Sequence, residues 1–165
     1  MPRDVVPMLG DLLAVPLQAL EQPIRVRMLD PFDTERLGQL MMLAFTGTVD
    51  DAGETPEEHR AEADRTVAGG YGPLVPSASL VAECDQDMVG AVVVTEWRRR
   101  PLLAFVLVLP QCRGRGVGTA LISQSAARLR ALGYTDWTLA VTRGNPAVAL
   151  YERLGFRENQ GLGDD

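Results

Sequence analysis

Gly114, Gly116 and Gly118 recur at every second position, with Arg113 before them and Arg115 between, and this is the part of the chain best suited to chemistry. An apolar run over residues 104–109 precedes them, Pro110 closes that run, and an amphipathic helix pattern starts directly afterwards. Strand, glycine turn and helix together make a phosphate cradle. Glycines let successive backbone N–H groups converge on an anion, and the start of the helix adds partial positive charge. The turn is not a Walker A loop, because no Gly-Lys-Ser/Thr follows. A dinucleotide fingerprint would sit early in the chain with an acidic residue about twenty positions on, and here only Asp136 falls near that spacing.

Other chemistries have little material. Cys84 and Cys112 form no C-x-x-C pair, and His59 is the only histidine, so a zinc site or a Cys-His nucleophile is not expected. The 165 residues fit one domain. A net charge of −6 argues against a nucleic-acid binder that relies on bulk phosphate neutralisation, although Arg98, Arg99, Arg100, Arg113 and Arg115 form a local basic group. The longest apolar run, residues 101–110, is well short of the roughly 18 needed for a membrane span. The N-terminus reads poorly as a secretory signal, so a cytoplasmic location is expected.

The elements that position the glycine turn follow from periodicity and punctuation. Residues 1–22 read as a partly ordered N-terminal extension. Met8, Leu9, Leu12, Leu13 and Leu20 suit a short helix that Pro7, Pro16 and Pro23 interrupt; a dimerisation arm or a flap over the site are the alternatives. Residues 24–28 alternate as a strand. Asp30 and Pro31 open a helix carrying Leu37, Leu40, Met41, Ala44 and Phe45, and an acidic loop with Asp50, Asp51 and Glu54 follows. Thr55, Pro56 and Glu58 make a capping box for a weakly apolar helix, expected on the surface with His59 exposed. Residues 79–84, 88–97 and 102–109 read as an antiparallel meander. The helix after the glycines and a strand at 135–142 form a crossover, which favours parallel pairing with 102–109. Asn145 and Pro146 lead a short helix, residues 156–159 make a last strand, and 161–165 read as a flexible tail.

Two blocks carry a family resemblance. The first, V-x-P-x-x-R-G-x-G-x-G, is met by Val108, Pro110, Arg113, Gly114, Gly116 and Gly118. The second, N-P-A-x-x-L-Y-E-R-L-G-F, is met by residues 145–156, with one helix and one strand between the blocks. The arrangement resembles the GCN5-related N-acetyltransferase (GNAT) superfamily over about residues 24–159, the first half by element order more than by motif. The resemblance implies an α/β acyl-CoA N-acyltransferase fold, a mixed central sheet flanked by helices, with the domain at 23–160. It implies an N-acetyltransferase that moves the acetyl group of acetyl-CoA to an amine of a small molecule or peptide, by direct attack in a ternary complex. An acyl-CoA-binding regulatory or inactive protein, or use of another acyl donor, is the alternative.

The resemblance also implies a site. The cofactor pyrophosphate is expected on the backbone of Arg113, Gly114, Arg115, Gly116, Val117, Gly118 and Thr119, with the two arginine side chains assisting from outside. The pantetheine arm is expected along Val106, Leu107, Val108 and Leu109, with an N–H at Val108 or Leu109 polarising the thioester carbonyl. Asn145 contacts the arm or caps the following helix. Tyr151 matches the acid that protonates the leaving thiolate, against the alternative of aromatic packing; a phenol with a reference pKa near ~10 starts protonated. The strand at 102–109 carries no acidic residue. Glu96 is therefore the expected base, with Glu83, Asp50, Asp51 and Glu54 as other candidates, and a water chain or capture of the free amine as alternatives. The acidic loop reads as a solvated surface loop or as a rim that attracts an amine or polyamine, and Trp97 and Tyr71 either line an acceptor pocket or belong to the core. Family members usually end in two strands and only one fits here. The other is expected to be absent or supplied by a partner, which leaves open a homodimer that exchanges strands.

Overall fold

A computed structural model describes residues 4–21 and 23–163 and places seven strands in one sheet. They are β1 (Val5–Asp11), β2 (Arg25–Met28), β3 (Leu80–Cys84), β4 (Asp87–Trp97), β5 (Arg100–Val108), β6 (Asp136–Thr142) and β7 (Phe156–Glu158), in the spatial order β2-β3-β4-β5-β6-β1-β7. The helices are α1 (Thr34–Phe45), α2 (Pro56–Val67), α3 (Val117–Ala131) and α4 (Ala147–Arg153). β2 to β5 form the expected antiparallel meander, and β5 and β6 are parallel. Alternation along β5 sets which helix covers which face. Val106 and Val108 point at Gly118 of α3, whereas the intervening parity brings Phe105 to Phe45 of α1, ring centroids 6.2 Å apart. α1 and α3 therefore cover opposite faces. Among the described residues, no helix is long and apolar enough to cross a membrane.

The N-terminal segment departs from expectation. Instead of an interrupted helix, it is β1, inserted between β6 and β7 and antiparallel to both. Val6, Met8 and Gly10 alternate inward along it. Pro7 is tolerated for a specific reason. The flanking bonds Arg143 N–H to Asp4 carbonyl and Leu12 N–H to Thr135 carbonyl fix the ladder parity, so the nitrogens of Val6, Met8 and Gly10 face β6 while that of Pro7 faces away. On that far side, β7 needs only the Pro7 carbonyl, which accepts from Asn159 N–H at 2.9 Å. Gly10 is needed because a Cβ there would lie 2.8 Å from both the Phe156 ring and the Trp137 indole nitrogen. The strand expected to be absent or supplied by a partner is thus supplied by the same chain, and strand exchange is not required to complete the sheet. Within the expected extension, Val5–Asp11 is therefore a strand of the sheet. Of the expected tail, Gln160–Gly163 forms a 3-10 turn. The ends of both expected segments, at residues 1–3, 22 and 164–165, lie outside the described residues.

Caps fix both helices on the α1 face. Asp30 and Asp33 form a reciprocal capping box on the turn leading into α1. Asp33 is held in turn by both terminal nitrogens of Arg27, at 2.7 and 2.9 Å. Thr55 and Glu58 cap α2 as expected. The surface position expected for His59 is corrected. His59 is buried, and its ring lies 6.2 Å from that of Phe45. The cause is close approach of the two helices at Gly38, where a Cβ would stand 2.8 Å from the Arg60 Cα.

Candidate active site

β5 and β6 pair at Leu102 and Thr138 and then part. The divergence coincides with a bulge: Leu103 pairs with Val94 and Phe105 with Val93, so Ala104 is an extra residue on β5. A bulge bends its strand and increases the local twist, which turns the rest of β5 away from β6. The opening is a groove of about 1070 Å³ walled by β5, β6, the end of α1, the start of α3, and α4.

The ladder with β4 decides which backbone groups of β5 face this groove. Leu109 N–H bonds the Val89 carbonyl at 2.9 Å, and Gly90 pairs with Val108. In an antiparallel ladder, alternate residues direct their N–H and C=O to the neighbouring strand. Leu107 and Leu109 therefore point theirs at β4, while Val106 and Val108 point theirs at the gap. This narrows the expected donor to Val108 and removes Leu109. The Leu107 side chain is wholly buried in the core.

Beyond β5, Gly114 and Gly116 take left-handed φ values of 77° and 78°, and Gly116 is the N-cap of α3 with no side-chain cap. The first helical bond of α3 runs from Ala120 N–H to the Gly116 carbonyl. The N–H groups of Val117, Gly118 and Thr119 thus have no intrahelical acceptor. Gly118 packs against Val108, where an added Cβ would lie 3.4 Å from a Val108 methyl. The Arg113 side chain lines the groove, but its guanidinium donates to the Ala44 carbonyl at 2.7 Å and ties the last turn of α1 to the glycine turn. Arg115 is exposed and lies outside the groove wall. Arg153, at the end of α4, lines the groove without having been expected there. Uncapped N–H groups, two left-handed glycines and neighbouring arginines fit a pyrophosphate, and the outward backbone of Val106 and Val108 fits an extended amide-bearing arm.

On the β6 wall of the groove, Asp50 accepts from Thr142 Oγ1 at 2.6 Å and from Asn145 Nδ2 at 3.0 Å. Asn145 Oδ1 also accepts from Ala147 N–H at 2.9 Å, so the capping contact of Asn145 is present and its amide reaches Asp50 as well. Asp50 is the carboxylate among the described groove-lining residues. Tyr151 lines the same wall, edge-on to Phe156 at 5.9 Å. Burial, then the charge of Asp50, push its phenol up to about 12.

The remaining candidates lie elsewhere. Glu96 pairs with Pro101 at the end of the β4–β5 hairpin remote from the glycine turn, and accepts from the Tyr134 hydroxyl at 2.6 Å. Its carboxylate is outside the groove wall, which corrects its placement as base. Glu83 is paired with Arg27 and Arg36. Asp51 and Glu54 accept backbone N–H groups of their own loop, from Gly47 and Gly53 for Asp51 and from Ala52 for Glu54. Tyr71 is bonded to Glu62 and Arg65, and Trp97 is 47% exposed with Arg98 stacked on it, so neither lines the groove. The aromatic lining comes from Phe45, Phe105 and Tyr151. Among the described residues, no cluster of His, Cys, Asp or Glu has metal-binding geometry.

A mixed sheet splayed beside a glycine turn, with helices on both faces, defines the acyl-CoA N-acyltransferase fold. Comparison with known families gives the same answer. The acetyltransferase (GNAT) domain family matches residues 76–158, half of the chain, and the protein belongs to the GNAT acetyltransferase superfamily. Streptothricin acetyltransferase of Streptomyces lavendulae is 35% identical over 92 residues, which cover 53% of this chain and 49% of that protein. A GCN5-related N-acetyltransferase structure from Sphaerobacter thermophilus superposes with a TM-score of 0.71 at 23% identity, covering 95% of this chain and 49% of that one. A GNAT family acetyltransferase from Brucella melitensis, solved in complex with acetyl-CoA, gives a TM-score of 0.54 at 26% identity over 68% of this chain and 72% of that one. The chain spans about half the length of the curated relatives it matches.

Proposed function

We propose that this protein is an acetyl-CoA-dependent N-acetyltransferase whose acceptor is a cationic amine of a small molecule or peptide. The observation that carries this reading is the joining, in one groove, of the outward backbone of β5, the uncapped start of α3 and the Tyr151 phenol. Its volume of about 1070 Å³ is at or above the upper end of the roughly 300–1000 Å³ common for sites holding one small ligand, which suits a cosubstrate as long as acetyl-CoA.

Acetyl-CoA, when bound, supplies a thioester ready for acyl transfer. The backbone N–H groups of Val117, Gly118 and Thr119 bind its phosphate charge, and the left-handed turns at Gly114 and Gly116 allow that close approach. Val106 and Val108 hold the extended arm by main-chain pairing, as in addition of a strand to a sheet edge. The Val108 N–H donates to the acyl carbonyl oxygen, where negative charge develops. Tyr151 stays protonated at neutral pH and donates to the departing sulfur. Asp50 draws the ammonium form of the acceptor into the groove and holds it near Tyr151. Glu96 and His59 lie off the groove wall and both Asp50 oxygens are engaged by Thr142 and Asn145, so attack is by the fraction of acceptor that is already neutral; as the C–N bond forms and the C–S bond breaks, the proton shed by the amine nitrogen replaces the one Tyr151 gives to sulfur.

Calorimetry with acetyl-CoA, followed by a thiol-release screen over streptothricin, polyamines and peptide N-termini, tests the proposal. Saturable binding with thiol release on at least one amine is expected. Absence of acetyl-CoA binding overturns it, and binding without release on any amine would replace it with an acyl-CoA-binding role.

A further inference from the structure

After β1 and a 3-10 turn at Leu12–Ala14, residues 15–20 have no regular structure, yet they are pinned along α3 by its side chains. Arg130 Nη1 donates to the carbonyls of Leu12 and Val15 at 2.7 and 3.1 Å. Ser123, wholly buried, accepts from the Gln18 N–H at 2.5 Å and faces the Gln18 carbonyl at 3.3 Å, and Gln124 Nε2 donates to that same carbonyl. Arg130, Ser123 and Gly116 are spaced by seven residues, about two helical turns, and so share one stripe of the helix. The segment therefore runs from the end of α3 back to its start. There the Gln18 side-chain nitrogen stands 3.3 Å from where a Cβ on Gly116 would be.

The backbone of Gln18 does the anchoring, so its carboxamide is left for another use. We infer that Gln18 is a further cofactor-binding residue, donating its amide N–H to the phosphate group held at the glycine turn. This rests on the acetyl-CoA reading above. It adds a donor from a segment outside the family-matched residues 76–158. A neutral amide suits the position: it adds a hydrogen bond to the anion without adding charge.

The test uses Gln18→Ala and Gln18→Glu in the full chain, with two donors, acetyl-CoA and acetyl-pantetheine, the second lacking the phosphates. The backbone anchors remain in both variants, so unchanged melting temperatures are expected. Gln18→Ala should weaken acetyl-CoA binding about three- to tenfold, the scale of one net hydrogen bond. Gln18→Glu should weaken it more, with the loss shrinking at high salt. Turnover with acetyl-pantetheine should be unaffected in both. Acetyl-CoA affinity undiminished in both variants, or an equal loss with acetyl-pantetheine, overturns the inference alone. Wild-type protein that bound no acetyl-CoA would overturn the acetyltransferase reading itself, and this with it.

Discussion

Gly10→Ala tests whether β1 is seated between β6 and β7. No positive φ is required at Gly10, so alanine fits the backbone and the effect is steric. The new Cβ would lie 2.8 Å from Phe156 Cδ1, Phe156 Cε1 and Trp137 Nε1. Both rings are fully buried and stack on each other at 5.2 Å, so neither can swing into solvent. Overpacking of this kind costs about 1–3 kcal/mol, and three sub-van-der-Waals contacts place it near ~3. Removing a strand glycine returns up to about 1 kcal/mol of backbone entropy, leaving a net loss of about 2. For a domain of this size that lowers Tm by about 4–8 °C. Thermal unfolding followed by circular dichroism measures it, with Leu13→Ala, at a side chain 70% exposed, as the control that should not move. Gly10→Ala with wild-type Tm would refute the placement of β1 over these rings.

Four further outcomes follow, three from the site and one from the cap leading into α1. Tyr151→Phe should reduce kcat by about 100-fold or more, with acetyl-CoA affinity kept; equal losses in stability and activity would assign the ring to packing alone. Because the Tyr151 pKa is raised to about 12, absorbance titration of the wild type should show a phenol ionising well above the usual ~10 that disappears in Tyr151→Phe, and stability linked to it should be complete below pH ~10 and lost as pH rises through 12. Asp50→Asn should raise KM for the amine while leaving acetyl-CoA binding intact, and kcat/KM should climb with pH up to the pKa of the acceptor itself; a plateau near neutrality would reveal a base on the protein. Burial opposes ionisation of Asp33, but bonds from Arg27 and the Asp30 N–H prevail and hold its carboxyl below the usual range. Its stabilisation is then present above pH ~4 and lost as pH falls through the lowered value, and Arg27→Gln should flatten that acid limb in urea unfolding.

What the sequence made legible is local. The capping box at Thr55, the glycine turn and the Asn145 cap are each written within a few residues, and each is found in place. β1 was obscured because Pro7 and Gly10 count against a strand when read alone. Pro7 is harmless only given the ladder parity, and Gly10 is explained only by two rings more than a hundred residues away. The choice between Val108 and Leu109 likewise depends on register with β4, which no residue type announces. Asp50 had a signal as part of an acidic loop, but nothing nearby in sequence ties it to Asn145. Glu96 lies only one strand before β5 in sequence, but the direction of the hairpin carries it to the end remote from the glycine turn.

The position of β1 has a consequence for biosynthesis. Its contacts with β6 span separations of 130 residues, as between Met8 and Thr138. At ribosomal rates of about 5–20 residues per second, β1 waits roughly 6–26 s after its own synthesis before a partner strand exists. Until then an apolar segment stays unpaired, a natural target for a chaperone. The groove wall bearing Thr142 and Asn145 is likewise synthesised after β5 and the start of α3, so the glycine-turn side of the groove exists before the wall that faces it.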